Sequence, residues 1–359
     1  MGVLIVPAAG LSTRYGLSRP KFLLEHPGGM TMLTAGLSEI SGLSNSGIEK
    51  ILIVSLQDHF RDISPEKFCT EITTVTGLTT EIMLLESSTS SMVETVCIAL
   101  DHLDHDDYFL VKDCDNLVAV DVGELVSNDN TLCFADLRRH TTVAAHNKSF
   151  VSFGPENTLN SIIEKKIVGP QINVGLIKFE SASGFLSAAK SLVGSRETFV
   201  SDVIRVLIGR GSKFVGIEVS QYEDWGTLSE WRAYCGSFAT LFVDIDGVLA
   251  VNENRLARVG GWDRLSPIED NYTSLIELQS KNRTTFVFTT SRSGEFRSQV
   301  EKRLRDLGFN KFQLIMDLPH SQRILINDFA PTNPFPSAVA ISIPRNSASL
   351  SEYLPRSLG

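Results

Sequence analysis

The sequence predicts a two-domain α/β protein, and three observations carry that prediction. Short apolar runs alternate with segments of helical spacing, the pattern of layered sheets with largely parallel strands. The chain has 359 residues with 42% hydrophobic content, enough for two buried cores rather than one. The alternation also restarts near residue 240, after the small-residue stretch AYCGSFA (233–239), so the expected domains are 1–236 and 237–359.

Taken in order, VLIVPAA (3–9), KILIVS (50–55), TEIMLL (80–85), YFLVKD (108–113) and TLCFADL (131–137) read as strands. Segments 31–43 and 91–103 between them have helical spacing. The second block opens with TLFVDID (240–246) and a helix near 271–281, followed by the strand TTFVFTT (284–290). A helix over 294–307 comes next, lining Phe296, Val300, Leu304 and Leu307 on one face. QLIM (313–316), RILIN (323–327) and AVAISI (338–343) are expected to complete the second sheet, and the last dozen residues, rich in Ser and Pro, to form a loosely packed tail.

Composition excludes several classes of function. The formal charge is −9 with no Lys/Arg-rich run, which argues against a nucleic-acid groove. No stretch approaches the 18 or so apolar residues of a membrane span. The opening MGVLIVPAAG is broken too soon for a signal peptide. Five scattered cysteines, never spaced C-x-x-C, read as reduced thiols, so a cytoplasmic enzyme is expected. A homo-oligomer is left open as the macromolecular partner.

In PAAGLSTRYGLSRPKFLL (7–24), a strand runs directly into a turn whose backbone N–H groups face an anion, with Arg14 and Lys21 as two nearby cations. YFLVKDCDN (108–116) ends an apolar strand in two acids, Asp113 and Asp115, a pair that in the family named next would bind Mg²⁺ between nucleotide phosphates. These pieces resemble the signature of the sugar-phosphate nucleotidyltransferases, the GT-A-like family that includes cytidylyltransferases, with Ser12 where the family has glycine. The resemblance covers roughly residues 1–235 and implies a Rossmann-like mixed sheet. It also implies that Arg14 and Lys21 bind the triphosphate and stabilise the transition state, while the loop Ala8, Ala9, Gly10, Leu11, Ser12 and Thr13 wraps the nucleotide.

Three further segments follow in the family's order. TSSMVETV (89–96) is similar to its base-binding turn and implies nucleotide contacts from Ser90, Ser91 and Thr95. IIEKKIVGPQINVGLIKF (162–179) resembles its acceptor segment and implies Glu164, Lys165, Asn173 and Gly175 as acceptor contacts. QYEDWGT (221–227) looks like its second acid segment, with Asp224 completing the metal site. The implied reaction transfers a nucleoside monophosphate, with CTP the favoured donor, to a phosphorylated sugar or polyol. No histidine is given a role.

In the second block, DIDGVL (244–249) matches motif I of the haloacid-dehalogenase (HAD) superfamily at every position. FTTSR (288–292) is similar to its motif II and ILINDF (324–329) to its motif IV. The resemblance implies a Rossmannoid phosphatase domain with a minimal cap. Asp244 would be the nucleophile, Asp246 the general acid/base and Thr290 the hydroxyl that steadies the phosphoryl group. Asp244, Asp246 and Asp328 would hold Mg²⁺. Motif III normally supplies a lysine; Lys311 and Arg323 are the candidates, and Arg323, just before the motif IV strand, is preferred. A bifunctional enzyme supplying activated units for surface polysaccharide is the leading expectation. The rivals are a nucleotidyltransferase with a structural second domain and a nucleotide-binding scaffold.

Overall fold

The computed structural model describes residues 2–10, 16, 19–103, 106–140, 143, 145–192, 198–252, 265–328, 338–355 and 358. The chain divides into two compact units, Met1–Trp231 and Arg232–Gly359.

The N-terminal unit contains strands β1 (Gly2–Ala8), β2 (Ile40–Ser41), β3 (Ile48–Leu56), β4 (Thr79–Leu85), β5 (Phe109–Lys112) and β6 (Asn116–Asp121). These are followed by β7 (Asn130–Asp136), β8 (Ser149–Phe153), β9 (Leu159–Glu164), β10 (Gln171–Phe179), β11 (Phe214–Glu218) and β12 (Gln221–Asp224). Its helices are α1 (Met32–Ser38), α2 (Pro65–Thr76), α3 (Met92–Leu103), α4 (Val122–Val126), α5 (Ala182–Lys190) and α6 (Val200–Gly209), and α7 (Leu228–Cys235) crosses the boundary between units.

The main sheet has the order β11-β7-β10-β5-β1-β3-β4, with β8 and β9 attached beside β10. Strands β4, β3, β1 and β5 are parallel neighbours, whereas β10 runs antiparallel to both β5 and β7. The sheet is therefore mixed. The cause of its apolar runs is burial on both faces. Leu4, Val6, Ile51 and Ile53 enter one core, and Val3, Ile5, Leu52 and Val54 enter the other, following the two-residue period of a strand. Helix α3 covers the second face with Val93, Val96, Ala99 and Leu100.

Local signals set the helix ends. Ser64 caps α2 by accepting the Lys67 N–H at 3.2 Å, Pro65 occupies its first turn, and Gly77 at φ 72° closes it. The predicted helix over 31–43 is shorter than expected. It stops at Ser38, and residues 40–41 leave it to become β2, an edge of the small sheet β12-β6-β2.

The C-terminal unit has a parallel sheet in the order β13 (Ala239–Asp244), β14 (Thr284–Thr289), β15 (Phe312–Ile315). Helices α8 (Glu269–Ser280), α9 (Arg297–Asp306) and α10 (Leu350–Tyr353) accompany it. Val300 and Leu304 of α9 are buried in its core, with Phe296 and Leu307 packed at the edge, the face read from the sequence.

Two expectations are corrected here. RILIN and AVAISI form no strand: 323–327 and 338–343 are irregular, and Ile324 and Ile326 are 75% and 89% exposed. Apolar alternation supplies strand propensity but not the hydrogen-bonding partner that a ladder requires, and propensity yields to context. The tail, in turn, is not loose. Leu350 and Leu358 are buried in the core of the C-terminal unit, and Lys281 Nζ donates to the Leu358 carbonyl at 3.0 Å.

Candidate active site

In the N-terminal unit the carboxyl ends of the central strands open into a cavity of about 700 Å³. Ligands of open α/β sheets bind in this position. Its centre is built by the parallel pair β1 and β5, in register from Val3↔Phe109 to Ile5↔Val111. The two strands deliver Ala8 and Gly10 from one side and Asp113 and Asp115 from the other, all lining the cavity.

Each remaining group arrives through pairing with a distant part of the chain. Strand β10 lies antiparallel to β5, with Leu176 opposite Lys112, which sets Gly175 against Asp113. The Asp113 N–H donates to the Gly175 carbonyl at 2.8 Å. Gly175 has φ +73°, and a Cβ there would lie 2.0 Å from an Asp113 carboxylate oxygen, so any other residue would be strained and would displace that carboxylate. Asn173 Oδ1 accepts the Gly175 N–H at 3.1 Å and stabilises the turn. In the small sheet Asp224 is opposite Asn116, and the Trp225 N–H donates to the Asp115 carbonyl at 3.0 Å. The third acid thereby reaches the cavity.

The acids are matched by lysines. Lys21, held by a short 3₁₀ turn whose Phe22 and Leu23 are buried, pairs with Asp115. Burial alone would raise the Asp115 pKa, but the Lys21 ammonium overrides it and holds the carboxyl below its usual range. Burial and the neighbouring Asp115 push Asp113 the other way, upward. Two carboxylates one residue apart thus differ in character: one is fixed as an anion, and the other carries charge only at a cost.

Three residues that sequence reasoning missed complete the site. Lys112 is fully buried beneath the pair, and its Nζ donates to the Asp113 carbonyl at 2.8 Å and to the Asn116 carbonyl at 3.1 Å. Burial lowers its pKa to about 8, although Asp113 and Asp115 oppose the shift. Lys148 lies 2.6 Å from Asp224 and donates to the Tyr222 hydroxyl at 3.1 Å. Burial would lower the Lys148 pKa, but Tyr222 and Asp224 raise it well above the usual lysine value. Ser201 donates to Glu164 at 2.9 Å. The available signal was the hairpin pattern KSFVSF…LNSIIE around the PEN turn, which pairs Ser149 with Glu164.

The other residues singled out from sequence fall as follows. Ser90, Ser91, Glu164, Lys165, Asn173 and Gly175 line the cavity. The Ser90 N–H and hydroxyl both donate to Glu94 at 2.6 Å. Thr95 is buried, its hydroxyl 2.6 Å from that of Thr89 and donating to the Ser91 carbonyl at 3.2 Å, so it braces the turn. Ala9 is also buried. Leu11, Ser12, Thr13 and Arg14 lie outside the described residues.

The three acids fit a divalent cation as hard oxygen donors. Among the described residues, no three His, Cys, Asp or Glu side chains converge into a ready metal cluster.

The C-terminal unit carries a separate constellation. Asp244 ends β13, and the chain turns at Gly247 (φ +107°), directing Asp246 back toward β14. Thr290 donates to Asp246 at 2.8 Å, and Arg292 clamps the same carboxylate at 2.7–3.2 Å through Nε and an Nη. Thr290 and Arg292 are buried. Crowding by the surrounding chain and the adjacent Asp246 raise the pKa of Asp244, whose side chain stays exposed, while Arg323, Arg345 and His320 oppose the rise. The Arg323 guanidinium donates to the carbonyls of Pro319 (2.9 Å) and Ser321 (3.1 Å). Lys311 is exposed just before β15, and Asp328 sits on the exposed irregular segment rather than at a strand end. Arg292, Arg345 and His320 were not read from the sequence.

The N-terminal unit has the Rossmann-like nucleotidyltransferase fold. It is similar to a nucleoside-diphosphate-sugar pyrophosphorylase from Vibrio cholerae RC9 (TM-score 0.54, 19% identity, 65% of this chain and 99% of that chain). It is similar also to the inositol-1-phosphate CTP transferase from T. maritima (TM-score 0.50, 12% identity, 64% and 90%). A third likeness is to a UDP-glucose pyrophosphorylase complexed with UDP-glucose (TM-score 0.51, 14% identity, 64% and 95%). At these identities the likeness is one of fold. No protein-family model and no curated protein matches the chain. No helix among the described residues is long and apolar enough to cross a membrane.

Proposed function

We propose that the N-terminal unit transfers a nucleoside monophosphate to a phosphorylated sugar or polyol with release of pyrophosphate, with CTP the favoured donor. The observation that carries the reading is a single cavity lined by Gly10, Lys21, Asp113, Asp115 and Asp224 together with Glu164, Lys165 and Asn173. The structures it resembles in fold are described as sugar-nucleotide pyrophosphorylases and a CTP transferase, which agrees with this chemistry.

In the proposed reaction an acceptor phosphate oxygen attacks the α-phosphorus, the bond to the β-phosphate bridging oxygen breaks, and pyrophosphate leaves with that oxygen. A phosphate nucleophile is already ionised near neutrality, so no protein base is required. The task of the chain is to hold two anions together. Lys21 and, as the sequence resemblance implies, Arg14 and the loop after Gly10 would bind the triphosphate. Asp113, Asp115 and Asp224 are the carboxylates proposed to hold Mg²⁺, which when bound supplies charge neutralisation between the phosphates. The test is pyrophosphate release in a matrix of four NTPs against phosphorylated sugars and polyols. Asp113→Ala should abolish the release, and unchanged release would remove the metal assignment.

For the C-terminal unit we propose phosphomonoester hydrolysis with Asp244 as nucleophile. Asp246 would be the acid/base, and Asp328 would join both as a Mg²⁺ ligand. The support is the Asp246–Thr290 pairing at the end of adjacent parallel strands. A structural role is the second reading, favoured by the exposed, irregular 323–328 segment that carries Asp328. Hydrolysis of 4-nitrophenyl phosphate by the full chain and by Asp244→Asn decides between them. Loss in the variant supports catalysis; equal rates support the structural role. Together the two activities fit a cytoplasmic enzyme that supplies activated precursors of a surface polysaccharide.

A further inference from the structure

The β8–β9 hairpin carries into the cavity a lysine to which nothing so far gives a part in substrate binding. Lys148 directly precedes β8, and its carbonyl accepts the Lys165 N–H at 3.0 Å. The next residue, Ser149, is in register with Glu164 and donates to its carboxylate. The Lys148 side chain is 17% exposed, lines the cavity and rests on Asp224, whose own side chain is 6% exposed.

Sheet order says which ligand this wall faces. Gly10 follows β1, and the turn at Thr89–Ser91 follows β4, so both lie on the β1-β3-β4 side of the acid pair. Strands β8 and β9 lie on the other side, beside β10. An anion entering between the acids and the hairpin meets Lys148 and Lys165 from two consecutive segments of one ladder. The hairpin wall, with its two lysines, is thus the one away from the turns at Gly10 and Thr89–Ser91.

We infer that Lys148 is an acceptor-binding residue: its ammonium holds the phosphate of the acceptor, and Asp224 is the counter-ion on which it rests until that phosphate arrives. The naming of that anion as the acceptor depends on the nucleotidyl-transfer reading. The anion site itself depends only on the geometry. A charge-assisted contact of this kind corresponds to a loss of about tenfold or more in affinity when it is removed.

The test is a ³¹P NMR titration of the full chain with inorganic phosphate and, separately, with CTP. Lys148→Met is expected to weaken phosphate binding about tenfold or more, Lys148→Arg to stay within about threefold of wild type, and CTP binding to change less than about twofold. Should Lys148→Met fail to fold, with Asp224 left uncompensated, Lys148→Met/Asp224→Asn compared with Asp224→Asn alone takes its place. Equal phosphate affinity in wild type and variant, absence of phosphate binding in wild type, or an equal loss for CTP overturns the inference. In turnover, Lys148→Met should raise the acceptor KM while leaving the nucleotide KM in place. Phosphate binding through Lys148 without pyrophosphate release from any NTP would overturn the transfer reaction and leave the anion site standing. Release with an unchanged acceptor KM would do the reverse.

Discussion

Gly175→Ala separates two costs that usually travel together. Gly175 sits at φ +73°, where an L residue carries a backbone penalty of roughly 1–2 kcal/mol. The new methyl would also lie 2.0 Å from one Asp113 carboxylate oxygen and 2.9 Å from the other. An ordinary carbon–oxygen approach is roughly 3.3 Å, so the carboxylate must move by about 1 Å or more. Displacement of that size in a positioning group costs about 100-fold in rate. Gly211 provides the control, since it has φ +99° with nothing within 4 Å of an added Cβ. Both variants should lose about 1–2 kcal/mol in urea denaturation. Only Gly175→Ala should lose about 100-fold in pyrophosphate release, with Gly211→Ala near wild type. Equal activity losses in the two variants would refute the claim that Gly175 exists to make room for Asp113.

Two further outcomes follow from buried charges. Lys112 has its pKa lowered from 10.5 to about 8, so between those values the unfolded chain binds more protons than the folded one. Stability measured by urea denaturation should therefore rise from pH 8 toward pH 10.5 relative to Lys112→Met, with a slope approaching about 1.4 kcal/mol per pH unit; parallel profiles would contradict it. In the C-terminal unit, Arg292→Met leaves the Asp246 carboxylate without its buried clamp and should destabilise that unit by about 3–5 kcal/mol. Arg292→Met/Asp246→Leu should recover much of the loss, and an Arg292→Met variant as stable as wild type would exclude the pair as a structural element.

What the sequence made legible was local or self-contained. Strands such as β1, β3 and β5 are near-continuous apolar runs because they are buried on both faces, and a run of that kind needs no knowledge of its partner. The acid pair was visible because two carboxylates at the end of such a run stand out. Groups brought in by pairing were harder to see. Lys148 in NKS has the look of a surface loop, and only its register against Glu164–Lys165 places it in the cavity. The polar strand QYED is a strand because β6 is its partner, and that partnership is what aligns Asp224 with Asn116. The reverse error, reading 323–327 as a strand, has the same origin: its residues favour a ladder that the chain does not form. Arg292 was passed over because arginine two residues beyond a threonine carries no local sign that it will be buried against Asp246.

The central claim is that the acid pair and the lysines around one cavity serve nucleotidyl transfer. Acceptor-dependent pyrophosphate release tests it most directly, measured with CTP, UTP, GTP and dTTP for wild type, Lys21→Met and Asp113→Ala. The account predicts release with one nucleotide, requiring both Mg²⁺ and a phosphorylated acceptor, and lost in both variants. Absence of release from all four nucleotides across the acceptor panel, or release that survives both substitutions, would contradict it.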